Sequence, residues 1–299
     1  MSFEPNSNAD VTRNVQYVEE TTYGTTPTNP TFINAGIANT ITWKKGPQHQ
    51  SVDILGSIDT YGEYKFANDF SMTLKYYFND TALIRYGTEL PNGTGTIEKG
   101  LTFFVSKKVN NVENFKLFQG CITESFALDY SKIPIATQTF RCANITKWMT
   151  QAETTAIIGG TPVYAGALSL DPWTSLDAGT VQPLTINAVA YEIDKFTFTV
   201  SRSILIMQPI GNPNPLRIEA GKRKITASFA TWEKDNVLEL QSDAFTAVPM
   251  VLTIKGGTVK TATFAGLRNI AVAGGEDAGA TKYDTFDYTM MAKSITVTA

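Results

Sequence analysis

Alternation of apolar and polar residues with a period of two is the feature that most restricts this chain. It is clearest in Phe196-Thr197-Phe198-Thr199-Val200. It recurs in LTFFVSKKV (101–109), CITESFALDY (121–130), TQTFRCANIT (137–146), RKITASFATW (223–232) and SITVTA (294–299). Successive side chains of a strand point to opposite faces, so the pattern fits antiparallel strands buried on one side. Turn-forming residues separate these segments in PNGTGTIEKG (91–100), GNPNP (211–215) and AGGEDAGATK (273–282). Helical spacing is confined to NDTALIRYGTEL (79–90) and KDNVLELQSDAF (234–245), which open on the caps Asn79 or Asp80 and Asp235. The fold class that follows is mainly β.

The strands are organised as a repeat. Residues 41–85 displaced by 155 fall on 196–240 without a gap. Trp43 meets Phe198, and Gly56 meets Gly211. Phe70, Met72 and Leu74 meet Ile225, Ala227 and Phe229. Tyr77 meets Trp232, Asp80 meets Asp235 and Leu83 meets Leu238. Four of 45 positions are identical, so the likeness lies in the order of strand, glycine turn, strand, large aromatic, acidic cap and helix. A second block steps by 146, placing Phe118, Gly120 and Phe140 on Phe264, Gly266 and Phe286. The chain reads as two tandem β domains, 1–150 and 151–299, each a β-sandwich or split barrel with one short helix.

Several classes of function find no support. The net charge is −3, and neither half carries the excess of Lys and Arg that phosphate contacts demand. No apolar run approaches the ~18–20 residues of a membrane span, so no membrane partner is expected. MSFEPNSNAD has neither the basic nor the apolar stretch of a secretory signal. The one histidine, His49, lies in the hairpin-tip sequence KKGPQHQ without a recognisable nucleophile, and catalysis by a nucleophile needs a positioned base. Glu276-Asp277 sit among glycines, no zinc or calcium spacing occurs, and AGGEDAGA lacks the Gly-Lys-Ser/Thr of a phosphate loop. No enzyme, metal or cofactor is expected.

Cys121 and Cys142 would face each other across a hairpin centred near Ser131-Lys132. A cross-strand bond, a metal pair or two packed thiols would each satisfy that placing. The matching positions Leu267 and Tyr288 are packing residues, which favours thiols.

YVEETTYGTTPTNPTF (17–32) can hardly form a stable helix and is long for a loop. Alternation sends Glu19 and Glu20 to opposite faces, so they do not converge as an acid–base pair. The stretch reads as an extended arm, turned by Gly24 and Pro27, that docks on a neighbouring subunit. Deletion of residues 1–32 is then expected to spare the folding of both domains.

Two β-rich halves, short capped helices and the opening EETTYGTTP (19–27) resemble the tail tube proteins of tailed bacteriophages and archaeal viruses, in the single-chain form with a duplicated tube domain. LGSIDTYGEYKF (55–66) and its echo IGNPNPLRIEAGKRKITASFATW (210–232) carry the same likeness, which spans nearly the whole chain. The second half lacks a counterpart of EETTYGTTP and has PVYAGALSLDPWTSLDAGT (162–180) in its place. The resemblance implies six such domains per ring, hence a homotrimer, with inner strands closing a barrel. Rings would stack into a tube holding viral DNA and a tape measure protein, with terminator and baseplate proteins at its ends and, in some tails, a sheath around it. The chain would reside in the virion tail after assembly in the host cytoplasm. Subunit or ring contacts then fall to Glu19, Glu20, Tyr23, Gly24, Pro27, His49, Gly56 and Gly211, and to the 44–60 and 87–100 loops. Other occupants of the same pattern are a tail terminator, baseplate or capsid decoration protein, or a carbohydrate-binding or adhesive β-sandwich. The last would want grouped Trp and Tyr, whereas Trp43, Trp148, Trp173 and Trp232 are scattered with respect to the repeat.

Overall fold

The computed structural model describes residues 11–36, 38–52, 62–77, 81–88, 99–109, 112–130, 134–165, 184–191, 193–209, 212–231, 248–255, 259–274 and 286–298. They form a mainly β structure in which every strand pairing is antiparallel. In the first half one layer holds β1 (Val11–Glu19), β2 (Ile33–Asn34), β5 (Leu101–Val109), the first part of β6 (Val112–Tyr130) and β8 (Asn144–Ile145). The other layer holds β3 (Ala38–Val52), β4 (Gly62–Tyr77), β7 (Ile135–Arg141) and the last part of β6.

The second half pairs its strands in the same order. β9 (Leu184–Ile186), β10 (Val189–Tyr191), β13 (Val248–Lys255), the first part of β14 (Val259–Gly274) and β16 (Ser294–Thr298) make one layer. β11 (Ile193–Met207), β12 (Arg217–Thr231), β15 (Phe286–Ala292) and the last part of β14 make the other. Trp43↔Met72 and Phe198↔Ala227 are pairs separated by the same step of 155. The register breaks at Ala38/Thr40 and Pro47/His49 recur at Ile193/Lys195 and Arg202/Ile204.

β6 and β14 each serve both layers, which requires a corner. Gly120 and Gly266 make it with φ of +63° and +64°. A Cβ on Gly120 would lie 2.6 Å from the Cβ of Ala143, and one on Gly266 would lie 2.9 Å from that of Lys293. The step of 146 holds from β6 to β14, where Ile122↔Arg141 answers to Arg268↔Met291. It does not hold for the next strand. Phe140 corresponds to Met290 and not Phe286, because Thr123↔Phe140 answers to Asn269↔Met290. The connection between β14 and β15 is longer than that between β6 and β7, and Cys142 therefore corresponds to Ala292, not Tyr288.

The core lies between the layers. β4 turns Phe70, Met72, Leu74 and Tyr76 inward, and β11 does the same with Phe196, Phe198 and Val200. Phe103 and Phe140 meet across the first sandwich with ring centres 4.7 Å apart, and Phe229 stacks on Tyr288 at 5.1 Å in the second. Each such ring contributes about 1.5–3 kcal/mol by leaving water. Gln138 is fully buried yet satisfied, accepting from the Tyr76 hydroxyl at 2.9 Å and donating to Thr123 Oγ1 at 2.9 Å.

α1 (Thr81–Thr88) falls inside the expected 79–90 segment and buries Leu83 and Ile84. The helix expected at 234–245 lies outside the described residues. A helix that was not expected, α2 (Gln151–Ile158), begins at a Thr150/Glu153 capping box and stops at Gly159 in the left-handed conformation. Its Ile158 joins Phe32, Phe104, Phe115, Leu117 and Met149 in a second apolar cluster on the first half. Val163 exchanges backbone hydrogen bonds with residues 30 and 32, so the first half runs past residue 150, to at least Ala165.

The halves share one sheet. β6 pairs with β11 from Ser125↔Ser201 to Tyr130↔Phe196. The sheet order is therefore β3-β4-β7-β6-β11-β12-β15-β14. Arg223 donates to the Thr88 carbonyl at the end of α1, and the Asn68 N–H donates to the Pro213 carbonyl, adding to the joint.

Candidate assembly interface

The shared sheet presents two faces of different chemistry. One is the core face just described. The other carries short hydroxyl side chains at alternate positions, such as Thr73, Thr139, Thr197 and Ser228. Thr73 and Thr139 hydroxyls lie 3.1 Å apart across strands, and those of Thr197 and Ser228 lie 2.7 Å apart. Much of the charge here is paired within the chain. Asp69 accepts from Lys44 at 2.9 Å and from Arg141 at 2.6 Å, and Arg141 also donates to Glu124 at 2.9 and 3.1 Å. Burial would raise the Asp69 carboxyl, but the two cations outweigh it and hold it below the ordinary carboxylate range. Lys75, Asp129, Lys195, Lys224 and Asp287 project on the same side, of both signs and exposed.

At one end of this sheet stands β3, which pairs only with β4 among the described residues. At the other end, residues 268–274 of β14 pair, among the described residues, with β15 on one side only. Trp43 on β3 is 39% exposed, while the corresponding Phe198 is 1% exposed because β6 covers β11. Trp43 leans edge-on against Phe118 at 6.0 Å and Trp148 at 6.0 Å. The Lys116 ammonium sits 4.4 Å from the Trp43 ring centre and 5.0 Å from that of Trp148. Burial, and then Lys45, push its pKa down. Two of the scattered tryptophans are thus neighbours, but a lysine of the chain itself already lies against their rings.

The far end of the β11–β12 hairpin exposes Leu205, Ile206, Met207 and Leu216, the last at 66%. Leu205 and Met207 lie on one face of β11 and Ile206 on the other, so this tip exposes apolar side chains on both sides, as contact surfaces do. The sequence reading missed it, although the run Ile204-Leu205-Ile206-Met207 breaks the alternation that precedes it.

The expected arm is placed differently from its sequence reading. β1 lies between β2 and β5 with Val15 and Tyr17 in the core. Residues 20–32 then fold back over the same half. Alternation does separate the two glutamates. Glu19 pairs with Lys99 at 2.6 Å and accepts from the Tyr86 hydroxyl at 2.9 Å; chiefly the Lys99 bond lowers its pKa. Glu20 is buried, and it does find partners. Its carboxylate accepts from Thr102 Oγ1 at 2.6 Å, Gly120 N at 2.8 Å and Gly24 N at 2.6 Å. Burial nonetheless pushes its pKa up. The Tyr23 hydroxyl donates to the Gly120 carbonyl at 3.0 Å, and Gly24 has φ of +73°. Pro27 is half-buried in the same loop. The reason for the difference is that Thr102 and Gly120, distant in sequence, offer Glu20 two donors, and Gly24 in the same loop adds a third, where an arm would have offered water. His49 pairs with Lys65 on the β3–β4 hairpin, while Gly56 and Gly211 lie outside the described residues.

Cys121 and Cys142 are free and buried, with sulfurs 2.7 Å apart on adjacent strands. Burial pushes the Cys121 thiol well up. In comparisons with known proteins, no family model matches this chain and no curated protein matches it.

Proposed function

We propose that this chain is a virion structural protein, the tube-forming subunit of a viral tail, which assembles as closed rings that stack into a conduit for genome delivery. The observation that carries the reading is the shared sheet. Two halves with the same strand order lie side by side in it, and among the described residues β3 and the end of β14 have no second strand partner, so both ends are open to further pairing.

The halves are read as a tandem duplication of one tube-type domain, so three chains supply six domains to a ring. Closing the sheet across chains removes edges that would otherwise pair without control. The face of Thr and Ser hydroxyls suits a bore, because among the described residues its lysines are interspersed with acids, and Asp69 and Glu124 pair with Lys44 and Arg141. The apolar tip at Leu205–Leu216 suits contact with the next ring, a head-to-tail contact that propagates as a filament. Viral DNA and a tape measure protein would occupy the bore, with terminator and baseplate proteins at the ends.

Electron microscopy of the concentrated protein in negative stain tests this. Tubes of uniform bore with a regular axial repeat are expected. A protein that stays monomeric at every concentration and salt, or that binds a glycan in that state, would overturn the reading.

A further inference from the structure

The joint inside the chain serves as a template for a joint between chains. β6 and β14 correspond by a step of 146 and β3 and β11 by a step of 155, with the register breaks kept. Inside the chain β6 pairs with β11, so the strand that corresponds to β6 and the strand that corresponds to β11 are the two left open, β14 and β3.

We propose that β3 of one copy pairs antiparallel with residues 271–274 of β14 in the next copy, in the register of the β6–β11 joint. Ser201↔Ser125, Thr199↔Ala127 and Phe198↔Leu128 then become Gly46↔Ala271, Lys44↔Ala273 and Trp43↔Gly274 between copies. The proposal rests on the reading of the two halves as equivalent.

Three features of β3 support this occupant. Trp43 is 39% exposed on the edge strand, while Phe198, at the corresponding place beside β6, is 1% exposed. The edge lysines, which often protect a free strand from pairing, are folded onto their own chain: Lys44 pairs with Asp69, and Lys45 donates to the Ile145 carbonyl at 2.6 Å. Pro47, which has no N–H to give, corresponds to Arg202 and so falls just outside the segment matched to the paired residues 196–201. The contact joins unlike edges, so it passes from copy to copy and does not stop at a dimer, and it gives a ring where the rotation closes.

Paired cysteines test the register. Lys44→Cys with Ala273→Cys places two thiols opposite each other across the joint. Lys44→Cys with Ala271→Cys moves one of them two residues along the strand, about 7 Å, beyond the reach of a disulfide. After mild oxidation the first variant should give covalent dimers and trimers on a non-reducing gel, and the second should remain largely monomeric. Stronger cross-linking of the second variant would overturn the proposal. So would an absence of cross-links in a first variant that sediments as an oligomer, or a wild-type protein that is monomeric throughout. Stacked tubes without the 44–273 bond would leave the tube reading standing and sink the joint. Cross-linked rings that never stack would do the reverse.

Discussion

Gly120 and Ala143 meet so closely that a Cβ on the glycine would come within 2.6 Å of the alanine's. The contact sits where β6 changes layers, and its φ of +63° already disfavours any side chain. Gly120→Ala is expected to cost several kcal/mol, about 1–2 from the left-handed backbone and about 1–3 from overpacking. Gly266→Ala should cost less, since its closest neighbour would be Lys293 Cβ at 2.9 Å on an exposed residue. Urea unfolding of both variants checks the order. Equal stability of wild type and Gly120→Ala would contradict the tight corner.

Glu20 makes a prediction with a definite sign. Folding raises its pKa above 4.5, so its contribution to stability is fullest below that value and is lost as pH rises through the raised one. Glu20→Gln removes this titration and leaves one of the three donors facing an amide, at about 1–3 kcal/mol. The stability advantage of wild type over Glu20→Gln should therefore shrink as pH rises from 4 to 8, read from urea midpoints. An advantage that grew over that range would show that the carboxylate is stabilised, not penalised, by its surroundings.

The two thiols should be silent in the folded protein. Both are buried and free, and the Cys121 thiol is held in its neutral form. A thiol-reactive disulfide dye is expected to label neither within minutes under native conditions and both in guanidinium. Fast labelling of the native protein would place at least one of them at the surface.

Truncation reverses the expectation drawn from an arm. Removing residues 1–32 takes out β1, whose Val15 and Tyr17 are core residues, and uncovers Phe104 by removing Phe32, 5.2 Å away. The truncated chain should lose its cooperative thermal transition. A shorter deletion, 1–10, should leave the transition in place.

Much of this architecture was legible because alternation is local. The strands 101–109 and 121–130, and the constant step between β3–β4 and β11–β12, need only nearest neighbours and a ruler. Most of the misreadings depend on distance. Two of the three donors that hold Glu20 lie 82 and 100 residues away, so its burial has no local signature. Phe140 was matched to Phe286 because a longer loop before β15 is invisible to a fixed offset. Trp43 and Trp148 come together only once β3 and the end of β8 are packed. The α2 capping box was written plainly in Thr150-Gln151-Ala152-Glu153 and was overlooked because the segment lacks an apolar stripe.

The hairpin between β1 and β2 is closed by residues 18–32, while its counterpart between β9 and β10 is closed by Asn187 and Ala188 alone. Subunits encoded separately and six times over would have to be identical at every such place. Two halves on one chain are released from that rule. In the proposed ring of three chains the shared sheet can keep near-sixfold regularity while these hairpins alternate long and short, and any protein that binds them would read a threefold pattern.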